Sequence, residues 1–381
     1  MRPFLLSAVL LACSSILAAP ATVEEQRLEA ALAALPDLKP TIDGWSGRIY
    51  YNLRQSGNEA GLIRQAAWNG QQLWQAAVRK QRQEGSYDDR PLYWTRLAIT
   101  RQLRNGSFAF PLSEAGRQRA LAAFERSSRG IDDLALDEPG SKRVLISGFD
   151  PFGLDGNLAQ MNPSGITALA LDGARLQCGQ RSARIEAFAV PVRFRDFDQG
   201  LIEDTLSPIL RSHRADLVAT VSMGRWAFDL ERFPGGRRSS GSFPDNEGVT
   251  QGSESDPLPL NYRGAPLGGP EFVEFSLPAE AMQRVQTPYV VNDNRWVMSN
   301  LGWQEAPSLA ALAGQIAIAG SGGTYLSNEI SYRSVLLRDR LGLKLPVGHI
   351  HTPAVYEFDR ATQKQIVEQI KTMLCAAVET L

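Results

Sequence analysis

The chain has 381 residues, which is long for one domain and sufficient for two. Hydrophobic residues make up 43% of it and charged residues 21%, a balance typical of an ordinary globular protein. Its 40 basic and 41 acidic residues leave a formal net charge of −1. A nucleic-acid-binding surface needs a concentrated basic stripe, so this charge balance argues against a nucleic-acid partner.

The first residues are typical of an export signal. Arg2 provides a positive charge, residues 4–17 are almost entirely apolar, and residues 19–21 form an A-x-A cleavage pattern. The apolar run is shorter than the roughly 20 residues that span a bilayer, and no later segment is apolar enough to do so. We therefore predict a signal peptide over residues 1–21 and a periplasmic or secreted protein. A lipoprotein signal that presents Cys13 for lipidation is the alternative.

Residues 22–140 are predicted to form a helical N-terminal extension. Leu62, Ala66 and Leu73 recur at helical spacing, and Ser113 is a suitable residue to begin a further helix. Four of the seven tryptophans lie in this segment, and we interpret them as core residues or as a surface that docks on the rest of the chain. A lid, an inhibitory cap and a partner surface are the open alternatives for its role.

From residue 141 onward, strands alternate with helices, and the turn formers of residues 136–141 mark the boundary. The predicted strands lie near residues 144–147, 185–192, 217–221, 315–319 and 345–350, and the predicted helices near residues 163–175, 195–213 and 366–378. This alternation predicts an α/β domain over residues 141–381 with a doubly wound, largely parallel sheet sandwiched by helices. In such sheets the active residues gather in loops beyond the C-terminal ends of the strands.

Two cysteines remain after removal of the export signal, Cys178 and Cys375. In an oxidising compartment the two can form a disulfide, whereas two buried free thiols are the alternative. The first follows a helix of the α/β domain and the second lies on the C-terminal helix. Those two helices can share a face of a doubly wound sheet, which would bring the thiols together.

The residues that can carry chemistry lie in separate segments of the α/β domain. Phe149 and Phe152 belong to a GFDPFG turn after the first strand and can clamp a flat apolar ring. Glu231 lies on an otherwise apolar segment, Ser327 follows a glycine-rich run, and His351 ends a strand. A hydroxyl at a helix start is either an N-cap or a nucleophile beside backbone N–H groups that stabilise an oxyanion. As a nucleophile, Ser327 would use His351 as its base, with Glu231 orienting the imidazole.

A metal site is the remaining alternative for the histidines. His349 and His351 alternate onto one face of their strand, which allows them to bind a metal as a pair. Third and fourth ligands at metal-site spacing are missing from the sequence. We therefore predict neither a metal nor an organic cofactor.

The motifs GFDPFG with NPSG, LER, PDNEG, GGTYLSN and HIHTP follow one another along the chain. Their order resembles that of the pyroglutamyl peptidases (pyrrolidone-carboxylate peptidases), a cysteine-peptidase family, over residues 143–380. The resemblance implies an α/β sandwich and removal of N-terminal pyroglutamate from peptides with a blocked N-terminus. It also implies that Glu231 is the acid of the triad, that His351 is the base, and that Phe149 and Phe152 hold the lactam ring.

Ser327 stands where that family keeps its cysteine nucleophile. A serine is not ionised near neutral pH, so it needs concerted proton removal by His351. The family's glutamine is missing from residues 222–225, an arginine is missing at residues 241–242, and Glu329 stands where histidine is common.

Two hypotheses follow. The first is an exported hydrolase of the pyroglutamyl-peptidase type with a Ser–His–Glu triad. The second is a catalytically inactive homologue that binds pyroglutamyl or lactam-like ligands. Assembly into a homo-oligomer is compatible with both.

Overall fold

The structure is a computed structural model that describes residues 20–381. The predicted export segment lies outside the described residues except for its last two positions, and so does Cys13. Among the described residues, no helix combines the length and apolar character needed to cross a membrane.

The N-terminal extension is helical, as predicted. Its helices are α1 (Val23–Gln26), α2 (Leu28–Ala34), α3 (Lys39–Arg54), α4 (Glu59–Glu84), α5 (Arg90–Asn105) and α6 (Glu114–Ser127). Ser113 caps α6 by accepting a hydrogen bond from the N–H of Gly116, which confirms the predicted helix start. Thr22 and Glu25 form a capping box at the start of α1.

The second part of the chain is an α/β structure. Its strands are β1 (Lys142–Phe149), β2 (Arg175–Cys178), β3 (Arg181–Val190), β4 (Leu217–Met223), β5 (Phe228–Glu231), β6 (Arg237–Arg238), β7 (Leu258–Pro259), β8 (Asn261–Tyr262), β9 (Ala265–Pro266), β10 (Val291–Asn294), β11 (Trp296–Ser299), β12 (Gly302–Glu305), β13 (Ala317–Ala319) and β14 (Val347–Thr352). Its helices are α7 (Pro163–Leu171), α8 (Phe194–Asp198), α9 (Leu201–Arg211), α10 (Ala279–Gln283), α11 (Leu326–Arg340) and α12 (Arg360–Glu379), and a 3₁₀ turn spans Leu309–Leu312.

Seven strands form the central sheet, in the order β10-β5-β14-β4-β1-β3-β2. The four central strands β14, β4, β1 and β3 are mutually parallel, while β2 and β5 pair antiparallel with their inner neighbours. Helices α7 and α12 pack together on one face, and α9 and α11 pack together on the other. The predicted largely parallel sheet sandwiched by helices is confirmed.

Several predicted elements differ in extent, each for a local reason. The first helix of the α/β domain ends at Leu171 because Gly173, with φ of 70°, turns the chain into the edge strand β2. The helix predicted for residues 195–213 is divided into α8 and α9 at Gly200, where φ is 88°. The strand predicted at residues 315–319 lies in a separate three-stranded sheet of β12, β11 and β13.

The extension is joined to the α/β part by a buried ion cluster. Asp150, in the GFDPFG turn, accepts hydrogen bonds from Arg96 of α5 at 2.9 Å and from Arg129 at 2.6 Å. All three side chains are almost completely buried. One continuous hydrophobic core also contains side chains from both parts, including Trp74 of α4 and Ile166 of α7. The predicted boundary at residues 140 and 141 falls in the turn that leads into β1.

Cys178 and Cys375 form a disulfide, with Cα atoms 4.9 Å apart. Cys178 is the last residue of the edge strand β2, and Cys375 lies on α12. The two thiols therefore meet because α12 packs against β2, whereas the sequence suggested two neighbouring helices.

We expect removal of this bridge to lower the free energy of unfolding by about 2 to 5 kcal/mol, since it closes a long loop in the unfolded chain. The test is urea denaturation of the protein with Cys178→Ser and Cys375→Ser combined. Added reductant should destabilise the natural protein and leave the double variant unchanged. Two free thiols in the mass spectrum of the non-reduced natural protein would contradict the bridge.

We expect Asp150→Asn to lower the free energy of unfolding by about 3 to 5 kcal/mol, because buried Arg96 loses its countercharge and buried Arg129 keeps only that of Glu125. Asp204→Asn is the matched control, since Asp204 pairs with Arg263 at the surface and both side chains are half exposed. The control should cost less than about 1 kcal/mol. If the two substitutions lowered the free energy of unfolding equally in urea denaturation, the buried cluster would contribute no more to stability than a surface ion pair.

Candidate active site

Two of the predicted site residues, Phe149 and His351, lie at the C-terminal ends of parallel strands. Phe149 is the last residue of β1, Ser222 lies one residue before the end of β4, and His351 lies one residue before the end of β14. Ser222 and His351 are direct neighbours in the parallel register of β4 and β14. This is the edge at which ligands bind in doubly wound sheets.

A small cavity of about 40 Å³ opens at this edge. Its lining residues are Phe149, Phe152, Asn162, Val192, Ser222, Met223, Tyr325, Leu326 and Ser327. Both predicted ring-binding phenylalanines and the predicted nucleophile therefore line one cavity, mostly with apolar surface.

Aromatic side chains surround the cavity in a continuous series of contacts. Phe152 packs edge-to-face on Phe243, which packs edge-to-face on Tyr325 at 5.1 Å between ring centroids. Tyr325 in turn contacts the ring of Phe194 at 5.3 Å. Such aromatic pairs are rigid and apolar, so this wall can hold a flat ring by its faces.

The glycine-rich loop before α11 is held very close to the backbone of residues 234–235. A Cβ atom on Gly320 would lie 2.0 Å from the side chain of Asn328 and 2.2 Å from the backbone nitrogen of Gly235, so only glycine fits there. The side chain of Asn328 accepts from the N–H of Gly235 at 2.9 Å and donates to its carbonyl at 2.8 Å. These contacts fix the first turn of α11, which contains Ser327 directly before Asn328.

The predicted N-cap role of Ser327 is wrong. The N-cap residue of α11 is Tyr325, and Ser327 is the second residue of the helix. Its hydroxyl donates a hydrogen bond to the carbonyl of Gly322 at 3.0 Å. Within residues 20–381 it forms no hydrogen bond with His351. The hydroxyl is free for the nucleophilic role only after it rotates away from Gly322.

His351 and Glu231 form a close pair beside the cavity. His351 Nδ1 lies 2.5 Å from Glu231 Oε1, and the second oxygen of Glu231 accepts from Asn294 at 2.8 Å. Burial raises the pKa of Glu231, and the adjacent imidazole opposes that rise. The His351 side chain keeps 11% of its surface exposed, and its Nε2 has no hydrogen-bond partner among the described residues.

The sequence pattern identified the site residues that lie at one end of the sheet, namely Phe149, Phe152, Glu231, Ser327 and His351. It did not identify Asn294, which lies on β10 and orients Glu231 while also donating to the carbonyl of Ser321 at 2.9 Å. β10 has only four residues, which is too short a run for a periodic signal.

A buried ion network lies behind the loop and includes an arginine that the sequence pattern did not identify. Arg238 binds both oxygens of Glu329 and stacks over the ring of Phe194. Arg333 binds the same carboxylate at 2.7 Å. Arg238 also pairs with Asp198, and Arg333 with Glu203. Glu329, in the first turn of α11, therefore joins two buried guanidinium groups at a position where the pyroglutamyl peptidases commonly have histidine.

His349 lies on the same face of β14 as His351, as predicted. Its Nδ1 is 2.8 Å from the hydroxyl of Thr220, and its Nε2 is 2.7 Å from the hydroxyl of Ser222. Both ring nitrogens are thus engaged by hydroxyl groups of β4.

Solved structures of pyrrolidone carboxyl peptidases are similar to part of this chain. The enzyme from Pyrococcus furiosus is 22% identical, with a TM-score of 0.43, over 62% of this chain and 99% of that chain. The enzyme from Thermococcus litoralis is 17% identical, with a TM-score of 0.43, over 62% and 94%. Pyroglutamyl peptidase I from Bacillus amyloliquefaciens is 20% identical, with a TM-score of 0.41, over 63% and 98%.

A curated relative is the uncharacterized protein PA0049 of Pseudomonas aeruginosa. It is 32% identical, and the match covers 76% of this chain and 69% of the relative. The family described as PA0049, C-terminal domain, matches residues 143–297 and 284–356. The family described as PA0049 N-terminal domain matches residues 7–125. The chain belongs to the PA0049 family.

Proposed function

We propose that the chain is a hydrolase of the pyroglutamyl-peptidase type that removes a pyroglutamyl cap from peptides with a blocked N-terminus. Ser327 is the nucleophile, His351 the general base, and Glu231 the carboxylate that orients the imidazole. The observation that carries the proposal is the 2.5 Å His351–Glu231 pair at the strand end next to the cavity that Ser327 lines.

The reaction follows the general course of acyl-enzyme hydrolysis. Ser327 Oγ attacks the carbonyl carbon that follows the cap, and its proton passes to His351 Nε2. The charge that develops on the carbonyl oxygen lies near the first turn of α11, whose backbone N–H groups have no partner within the helix. His351 then donates the proton to the leaving amine. Water attacks the acyl-enzyme, with His351 again as base, and releases the cap as a free acid.

The binding part of the proposal depends on the aromatic wall. A pyroglutamyl cap has no free amine, so recognition by a carboxylate cannot select it. Phe149 and Phe152 line the cavity, and the surrounding aromatic contacts keep their side chains in place. A small ring held between apolar faces fits this lining.

We also propose that the protein acts outside the cytoplasm. The predicted export segment supports this location, and so does the Cys178–Cys375 bridge, because disulfides persist in oxidising compartments.

A second candidate function is ligand binding without turnover. It is favoured by the hydrogen bond of the Ser327 hydroxyl to Gly322, which holds the hydroxyl away from His351. In that case the cavity binds pyroglutamate, and the serine remains inert.

The two functions are separated by an assay with a fluorogenic pyroglutamyl amide. For the hydrolase, we expect turnover by the natural protein and a loss of at least about 10³-fold in kcat for Ser327→Ala and for His351→Ala. Ser255→Ala, in an exposed loop, is the control and should retain full activity.

Turnover that survives Ser327→Ala would remove the assignment of the nucleophile. The binding function predicts no turnover by the natural protein, thermal stabilisation by pyroglutamate, and activity that appears with Ser327→Cys. The absence of both turnover and thermal stabilisation would contradict both functions.

A further inference from the structure

Three buried polar side chains form a hydrogen-bonded chain that leads from the sheet into the cavity. Thr220 and Ser222 lie on β4, and His349 lies between them on the neighbouring strand β14. The imidazole contacts the Thr220 hydroxyl through Nδ1 and the Ser222 hydroxyl through Nε2, at 2.8 and 2.7 Å. The proposed mechanism uses none of the three.

These bonds can run in either direction, because the ring hydrogen of His349 can lie on Nδ1 or on Nε2. We assign the direction from the backbone carbonyl next to Thr220. Thr220 donates its hydroxyl hydrogen to the carbonyl of Gly348 at 3.3 Å. Its oxygen therefore accepts from Nδ1–H of His349, which places the ring hydrogen on Nδ1. Nε2 is then an acceptor, and it receives the hydroxyl hydrogen of Ser222.

His349 is held in the neutral form that this pattern requires. The residue is completely buried, and burial lowers its pKa well below the usual value, with the adjacent His351 acting in the same direction. A neutral imidazole has one donor and one acceptor nitrogen, so the direction of the chain does not reverse as long as Thr220 donates to the backbone.

Ser222 consequently presents lone pairs, and no hydrogen, to the cavity that it lines. Within residues 20–381 its hydroxyl has no hydrogen bond other than that to His349. The hydroxyl of Ser327 is directed to Gly322, and the side-chain amide of Asn162 donates to the carbonyl of Asp150. The side-chain oxygen of Asn162 already accepts two hydrogen bonds from Ser164, and the hydroxyl of Tyr325 donates to the carbonyl of Pro244. Ser222 and Ser327 therefore supply the side-chain oxygens of the lining that can accept a hydrogen bond from a ligand.

We propose that Ser222, polarised by His349, is a specificity residue that accepts an N–H of the bound ring, so that the site takes cyclic amides in preference to cyclic esters. This inference rests on the proposed function and defines its substrate class. Apolar walls cannot distinguish a lactam from a lactone of the same shape, whereas one acceptor can, because a lactone oxygen facing Ser222 has no hydrogen to donate.

The test compares the binding of L-pyroglutamate, the product of the proposed reaction, with that of its lactone counterpart, in which oxygen replaces the ring N–H. Titration calorimetry gives both dissociation constants without turnover. For the natural protein we expect the lactam to bind about tenfold more tightly or better, the magnitude of one neutral hydrogen bond. Ser222→Ala should reduce the ratio to about one, mainly through weaker lactam binding.

Thr220→Val provides a second variant with nearly the same shape. Without an acceptor at Nδ1, the ring hydrogen of His349 moves to Nε2 and is donated to Ser222, whose own hydrogen then points into the cavity. We expect the lactam preference to disappear in this variant. Thr205→Val is the matched control, a buried threonine of α9 that bonds only its own helix, and it should keep the natural ratio.

Equal binding of lactam and lactone by the natural protein would overturn the role of Ser222 and leave the proposed function standing. If folded Ser222→Ala and folded Thr220→Val both kept the natural preference for the lactam over the lactone, the role of Ser222 would likewise be overturned. Binding of neither compound by the natural protein would contradict the proposed function and this inference together. Circular dichroism shows which variants are folded, and either folded variant suffices for the comparison.

Discussion

The position of the site depends on the carboxylate of Asp150. It lies in the turn that carries Phe149 and Phe152, and it neutralises Arg96 and Arg129 from the N-terminal part of the chain. A buried carboxylate between two guanidinium groups tolerates little displacement, because separation would take from Arg96 its carboxylate partner and leave Arg129 with that of Glu125 alone. The aromatic turn is therefore fixed by residues that precede the α/β domain.

Residues of the N-terminal extension also bind other loops of the α/β domain near the cavity. Asn246, in the PDNEG turn, donates to the carboxylate of Glu24 on α1 and lies within hydrogen-bond distance of the hydroxyl of Tyr93 on α5. Asp89 accepts from the backbone N–H of Asn162, a cavity residue. These contacts are buried, and the one from Asp89 holds a residue that lines the cavity.

Patterns in the sequence were sufficient for the elements whose signal is local. Apolar runs predicted the central strands, and the order of the motifs predicted that Glu231, Ser327 and His351 belong to one site. Edge strands such as β2 and β10 have four residues each and carry no clear periodicity. The bond between Ser222 and His349 joins residues 127 positions apart and depends on the register of β4 with β14. Such contacts follow from strand order, which no local pattern specifies.

The disulfide between the edge strand β2 and the last helix α12 affects what a proteolytic cut does to the chain. Residues 178 and 375 enclose β4, β14 and the glycine-rich loop within one covalent ring. A single proteolytic cut in any exposed loop of that ring leaves both pieces linked, so the nicked chain can keep its fold. Ser222, Glu231, Ser327 and His351 all lie inside the ring. A chain with this arrangement keeps these four side chains in one molecule after it has been cut.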